Sequence, residues 1–177
     1  MSDSRITDYE TTSDNTARFT LGKYNEKPLV VFGINPSTAT KEKNDNTISI
    51  VERIAKDHGY DGFLMLNIYP VRATKINNCF DTNCNDTVSN QNLEFISQRI
   101  QEGSDVIAAW GIHINDRRFF ITILSRINEI VKNKSAKWRV LSLTKYGHPH
   151  HPTRLAYDKM TFDEFDMDSY IKSVSGR

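Results

Sequence analysis

Four short apolar runs punctuate the chain, and helix-periodic segments fall between them. Leu29-Val30-Val31-Phe32-Gly33-Ile34 is continuous, is opened by Pro28 and is ended by Asn35-Pro36, which predicts a buried strand. Phe63-Leu64-Met65-Leu66, Val106 to Trp110 and Trp138 to Leu143 predict three more, and Arg18 to Leu21 a short additional one. Ile48, Val51 and Ala55 fall at i, i+3, i+7, a helix stripe that Asn46 or Asp45 can cap and Gly59 can end. Leu93, Ile96 and Ile100 mark a second helix closed by Gly103, and Phe120, Leu124, Ile127 and Val131 a longer third. The last residues predict a short acidic helix. Strands alternating with helices predict an α/β fold, a mainly parallel sheet covered on both faces.

The polar remainder sharpens this picture. The first 15 residues are rich in Thr, Ser and Asp and are expected to be loose, leaving 16–177 as a single α/β domain. The stretch from Asn67 to about Asp86 is longer than most connections, which favours a functional loop. Each main strand runs into a conspicuous polar segment: GINPSTAT, NIYPVRAT, WGIHIN and GHPHHPTR, in chain order. In a parallel sheet all four emerge on one edge, where ligands bind.

The chain has 177 residues and a formal net charge of +1. No run approaches the ~18 apolar residues of a membrane span, and MSDSRITDYE lacks a signal-peptide apolar stretch. Two cysteines, Cys79 and Cys84, cannot build a disulfide framework. The expectation is a soluble, cytoplasmic protein that does not engage membranes. The mean charge hides an asymmetry: residues 1–116 carry net −5, residues 117–159 net +8 and residues 160–177 net −2. The basic segment 117–159 could attract a nucleotide or nucleic acid, or could simply be a solvated cationic face.

The strand-end residues offer specific chemistry. The Asn35 amide can fix a water or a heterocycle edge but is no general base. Ser37 and Thr38 add hydroxyls, although Asn-Pro-Ser also reads as a turn with a helix cap. Asn67 follows a buried strand directly, a rigid support suited to substrate recognition or to ending the strand. Arg72 and Thr74 could hold a phosphate or carboxylate. Trp110 reads as a core residue or a ligand contact, and Gly111 permits close approach. In His148-Pro149-His150-His151-Pro152 the prolines aim imidazoles that can donate to a leaving group, move a proton or ligate a metal. Their spacing matches no helical zinc motif.

As a set, GINPSTAT, a following DNT, LNIYPVRAT, AAWG and GHPHHP resemble an uncharacterised bacterial family, the domain-of-unknown-function family numbered 1643. The match runs in order from about 18 to 157 and includes Asn35, Asp45, Asn67, Arg72, Asn92, Trp110, His148 and His151. More distantly, Gly33-Ile34-Asn35-Pro36, Leu64-Met65-Leu66-Asn67, Val106 to Gly111 and the histidine loop are similar to successive motifs of the uracil-DNA glycosylase superfamily. That resemblance implies a three-layer α/β/α sandwich with a short, mainly parallel sheet, and hydrolysis of an N-glycosidic bond. It implies that Asn35 positions water, with Asp45 the nearest carboxylate that could act as base, that Asn67 reads the base edge, and that His148 or His151 donates to the leaving base. Arg154 lies in the second of these histidine registers and would help to bind substrate. Asn35 stands where some branches carry a carboxylate, and Phe80, Tyr69 and Tyr146 compete for the role of the aromatic that stacks on the base. No cofactor and no metal is implied. Two rivals stand beside this reading: a non-catalytic nucleotide or nucleic-acid binding module, and a metal-dependent hydrolase built on His148, His150 and His151.

Overall fold

The computed structural model describes residues 6–36, 46–72 and 86–176, the side chain of Asp86 excepted. Seven strands form one sheet: β1 (Asp8–Thr11), β2 (Arg18–Lys23), β3 (Pro28–Gly33), β4 (Gly62–Asn67), β5 (Asp105–Ala108), β6 (Lys137–Val140) and β7 (Asp163–Glu164). Their order across the sheet is β1-β2-β4-β3-β5-β6-β7. The central four, β4-β3-β5-β6, are parallel, while β1, β2 and β7 join antiparallel at the edges. The sheet is therefore mixed and wider than a short, mainly parallel one. Asp8–Thr11, within the stretch expected to be loose, pairs with β2, and the polar side chain of Asp8 is held by Arg99 and Thr20.

The helices are α1 (Asn46–Asp57), α2 (Asp86–Arg99), α3 (Arg118–Asn133) and α4 (Met167–Ser175). The chain steps from β3 through α1 to β4 on one side. It then reverses through α2 to β5 on the other side and continues through α3 to β6. Right-handed crossovers taken in opposite directions put their helices on opposite faces. So α1 covers one face alone, and α2, α3 and α4 cover the other.

Strand alternation divides the core accordingly. Leu29, Val31, Phe63, Met65, Ile107 and Ala109 pack with Ile48, Val51, Ile54 and Ala55 of α1. Val30, Phe32, Leu64, Leu66, Val106, Ala108 and Trp138 pack with Leu93, Ile96, Phe120, Ile123, Leu124, Ile127 and Tyr170. β3 and β4 are buried throughout, which is why they read as unbroken apolar runs. The order reverses between β3 and β5, so the crevice beyond their carboxyl ends is the switch point where such sheets bind ligands. Among the described residues no helix is long and apolar enough to cross a membrane.

Candidate functional site

The two faces sort the strand-end residues. Gly33 and Asn67 lie side by side at the ends of β3 and β4 and belong, by alternation, to the α1 face. A Cβ built on Gly33 would stand 3.2 Å from Asn67 Oδ1 and 4.0 Å from Met65 Cε, so glycine makes the room that the amide occupies. Asn67 is 2% exposed, and among the described residues its Nδ2 has no hydrogen-bond partner. A buried amide donor left unmade costs about 1–3 kcal/mol, so the site holds this group against its own stability. Asn92, fully buried on α2, donates through Nδ2 to Asn67 O at 3.0 Å and to Ile68 O at 3.4 Å, fixing the backbone from which Asn67 projects.

Asn35 lies two residues beyond β3, at the switch point, half-buried, and its Nδ2 bonds Pro36 O at 3.3 Å. Ser37, Thr38, Asp45 and Thr74 lie outside the described residues, as does Phe80.

His148 belongs to the other face. It is 2% exposed, with Nδ1 2.9 Å from Tyr170 Oη and Nε2 3.1 Å from Asn115 Nδ2. Trp110 Nε1 donates to the same Tyr170 Oη at 3.0 Å. With the Asn115 amide nitrogen toward Nε2, the assigned tautomer carries its proton on Nδ1 and donates to Tyr170. One ring nitrogen thus meets Tyr170 of α4 and the other meets Asn115, exposed on the 3-10 segment Gly111–Asp116 that follows β5. Trp110, 1% exposed and in ring contact with Trp138 and Tyr170, is packed in the core. Gly147, at φ +79°, makes the turn that brings His148 inward, a left-handed conformation that a side chain would strain.

His151 stands on the α1 side. It caps the 3-10 turn Pro152–Arg154, which packs on α1, and Leu155 and Tyr157 just beyond join the α1 core. Thr153 N donates to His151 Nδ1 at 3.3 Å, with Thr153 Oγ1 at 2.8 Å. A backbone N–H only donates, so Nδ1 accepts and the neutral ring carries its proton on Nε2. Half-buried His151, not His148, therefore shares a face with Asn35 and Asn67.

Of the remaining candidates, Arg72 donates through Nη2 to Tyr9 Oη at 2.8 Å, and Arg154 is exposed on the turn after His151. Tyr69 is packed in the core against Phe119, whereas Tyr146 is 61% exposed. The basic segment is partly neutralised in space: Arg139 pairs with Asp105 at 2.7 Å and with Glu164 at 3.4 Å, and Lys132 with Asp168 at 2.7 Å. Among the described residues no group of three or more His, Cys, Asp or Glu could hold a metal ion. Sequence reading gave no role to Asn92, Asn115 or Tyr170. For Asn92 the signal was present: a polar residue one position before Leu93 on the stripe that Ile96 and Ile100 continue.

Residues 18–153 match the model of a family described as protein of unknown function (DUF1643), and the chain belongs to that family. Neither the curated proteins nor the solved structures contain a match to it.

Proposed function

We propose that the α1 side of the carboxyl edge binds a nucleobase and hydrolyses the N-glycosidic bond that joins it to a sugar. The observation that carries this reading is the buried, unmade Nδ2 donor of Asn67 at a rigid strand end. It calls for an acceptor from a ligand, such as a base carbonyl. The distant glycosylase resemblance assigns the same residue the same task. In the reaction a water attacks the anomeric carbon, the carbon–nitrogen bond breaks, and its electron pair leaves on the base. His151 Nε2–H is the group that can donate a hydrogen bond to that departing anion. Asn35 orients the water, and Asp45, at the far end of the segment after β3, is the carboxylate available to take its proton.

A second reading is a binding module with the same pocket and no cleavage. It is favoured by the Asn35 amide, which orients water but takes no proton. Base release from oligonucleotides bearing uracil, mispaired or modified bases, and from free nucleotides, separates the two. We expect release from at least one substrate and loss of about 10²–10³-fold in His151→Ala, the usual worth of one hydrogen-bond donor to a developing anion. Binding that depends on Asn67, without release from any substrate, selects the module. Neither binding nor release defeats both.

A further inference from the structure

Among the described residues three large apolar side chains are exposed, and all three gather beyond the carboxyl ends of β5 and β6: Ile112 at 51%, Leu143 at 47% and Tyr146 at 61%. Scattered singly such residues are ordinary, but grouped at a ligand-binding edge they mark a contact surface. The chain after β6 doubles back on itself. Thr144 N donates to His148 O at 2.8 Å, His150 N donates to Ser142 O at 3.0 Å, and Leu143 bridges Pro149 in antiparallel fashion. Gly147 N closes the tip on Thr144 O at 2.9 Å, and Thr144 Oγ1 accepts from Tyr146 N at 3.3 Å and from His148 N at 3.1 Å. Gly111 N donates to Pro149 O at 2.8 Å, so the chain after β5, which carries Ile112, lies beside the returning arm. Leu143, Pro149 and Gly111 thus sit on three neighbouring chains about 5 Å apart, and Tyr146 stands on a turn pinned by its own hydrogen bonds.

The charge around this patch is one-sided. Across residues 110–118 and 141–151 the sequence supplies one carboxylate, Asp116, which accepts from His113 Nδ1 at 2.9 Å. Lys145 and Arg118 are exposed and, among the described residues, stand in no ion pair. The Lys145 ammonium lies 4.9 Å from the centroid of the Tyr146 ring. Charge alone would suit an acidic peptide. A flat ring beside an unneutralised cation instead complements a ligand that is flat and anionic at once, a base with its phosphate. We propose that Tyr146 and Lys145 form a stacking platform for an unpaired base of a single-stranded polynucleotide, with Leu143 and Ile112 extending its apolar floor. To the extent that it names a substrate class, this rests on the nucleobase reading above. β4 and β6 are separated by β3 and β5, so their ends stand about 14 Å apart. A base at Asn67 and a base on Tyr146 therefore belong to different nucleotides of one strand.

Fluorescence anisotropy on the full chain tests this with three labelled probes: a short single-stranded oligothymidylate, the same phosphodiester chain without bases, and a polyglutamate of similar charge. The oligothymidylate is expected to bind, and the other two to bind about tenfold or more weakly. Tyr146→Ala should weaken the oligothymidylate by about tenfold, and Tyr146→Leu, which keeps apolar surface but loses the ring, by nearly as much. Lys145→Gln should weaken it too and lower the salt dependence by about one phosphate contact. Tyr146→Trp should keep binding and report it directly, because Trp110 and Trp138 are buried and quenching of the added, exposed indole reads the stacking. Melting curves verify that each variant folds. No oligothymidylate binding, binding unchanged in Tyr146→Ala, or a base-free chain held as tightly overturns the platform. So does polyglutamate held more tightly through Tyr146, which assigns the patch to an acidic protein, or self-association lost in Tyr146→Ala, which assigns it to a second copy. Oligothymidylate binding that depends on Tyr146, with no effect of Asn67→Ala and no base released, upholds the platform while removing the base reading. Base release from free nucleotides with no oligothymidylate bound does the reverse.

Discussion

Gly33 and Asn67 occupy the last paired position of the parallel strands β3 and β4, and the missing side chain of one is the space taken by the amide of the other. A Cβ at 3.2 Å from Oδ1 is tighter than ordinary contact, so Gly33→Ala must rotate or push the Asn67 amide. The expected cost is about 1–3 kcal/mol of stability from overpacking, with a larger loss in base binding than Asn67's distance from any other change would explain. Chemical denaturation alongside nucleoside titration measures both. Unaltered binding in Gly33→Ala removes the idea that the amide must sit where it does.

Asn67→Ala separates stability from recognition. Its Nδ2 is buried without a partner among the described residues, so deleting it removes an unfavourable desolvation while losing some packing. Stability should change by less than about 1 kcal/mol in either direction, because the two effects oppose. Ligand binding should be lost. A large destabilisation would instead show that the amide is a structural bond.

The two histidines should behave oppositely. His148→Ala removes a ring bonded to Tyr170 and Asn115 and leaves a cavity in the α3–α4 core, with an expected loss of about 2–4 kcal/mol. His151→Ala removes a half-buried ring that caps the turn Pro152–Arg154, with an expected loss of about 1 kcal/mol, the usual worth of a cap. Activity should fall in His151→Ala even where folding is intact. Equal melting temperatures for the two variants would contradict the assignment of His148 to the core.

Acid should weaken the opposite edge of the sheet. Burial pushes the Asp105 carboxyl up, but hydrogen bonds from Tyr60 at 2.6 Å and Arg139 at 2.7 Å outweigh it and hold the carboxyl below its ordinary 3.8. A folded-state value below the unfolded one means the contribution is complete above the unfolded value and is lost as pH falls through the folded one. Asp105→Asn should therefore cost about 1 kcal/mol near neutral pH, a figure reduced for solvent screening, and progressively less as pH falls below the ordinary 3.8. Urea titrations of both proteins, at neutral pH and at steps into acid, check the sign. A difference that grows in acid would reverse the argument.

The central sheet and α1, α2 and α3 were legible because β3 and β4 are buried on both sides and the helices carry one apolar stripe each. β1 was not, since DYET contributes only one inward residue and owes its place to Asp8 bonding Arg99, ninety-one positions away. The site was half legible. Asn67 was marked by its position after Leu66, and the switch-point location of Asn35 follows from strand order, which the sequence does not display. The choice between His148 and His151 was hidden for a similar reason. Three residues apart in a proline-stiffened loop, they part company only because Gly147 turns one into the α3–α4 core while Pro152 seats the other on α1.

Tyr170 is shared by Trp110 and His148, and it comes from the last helix of the chain. During synthesis β1 to β4 and α1 leave the ribosome well before α4, and folding proceeds from that end. The Gly33–Asn67 side of the edge can therefore mature while the Trp110 indole and the His148 imidazole still lack the hydroxyl they converge on. The two sides of one edge are finished at different times, and the histidine that closes the far side is locked only when α4 arrives.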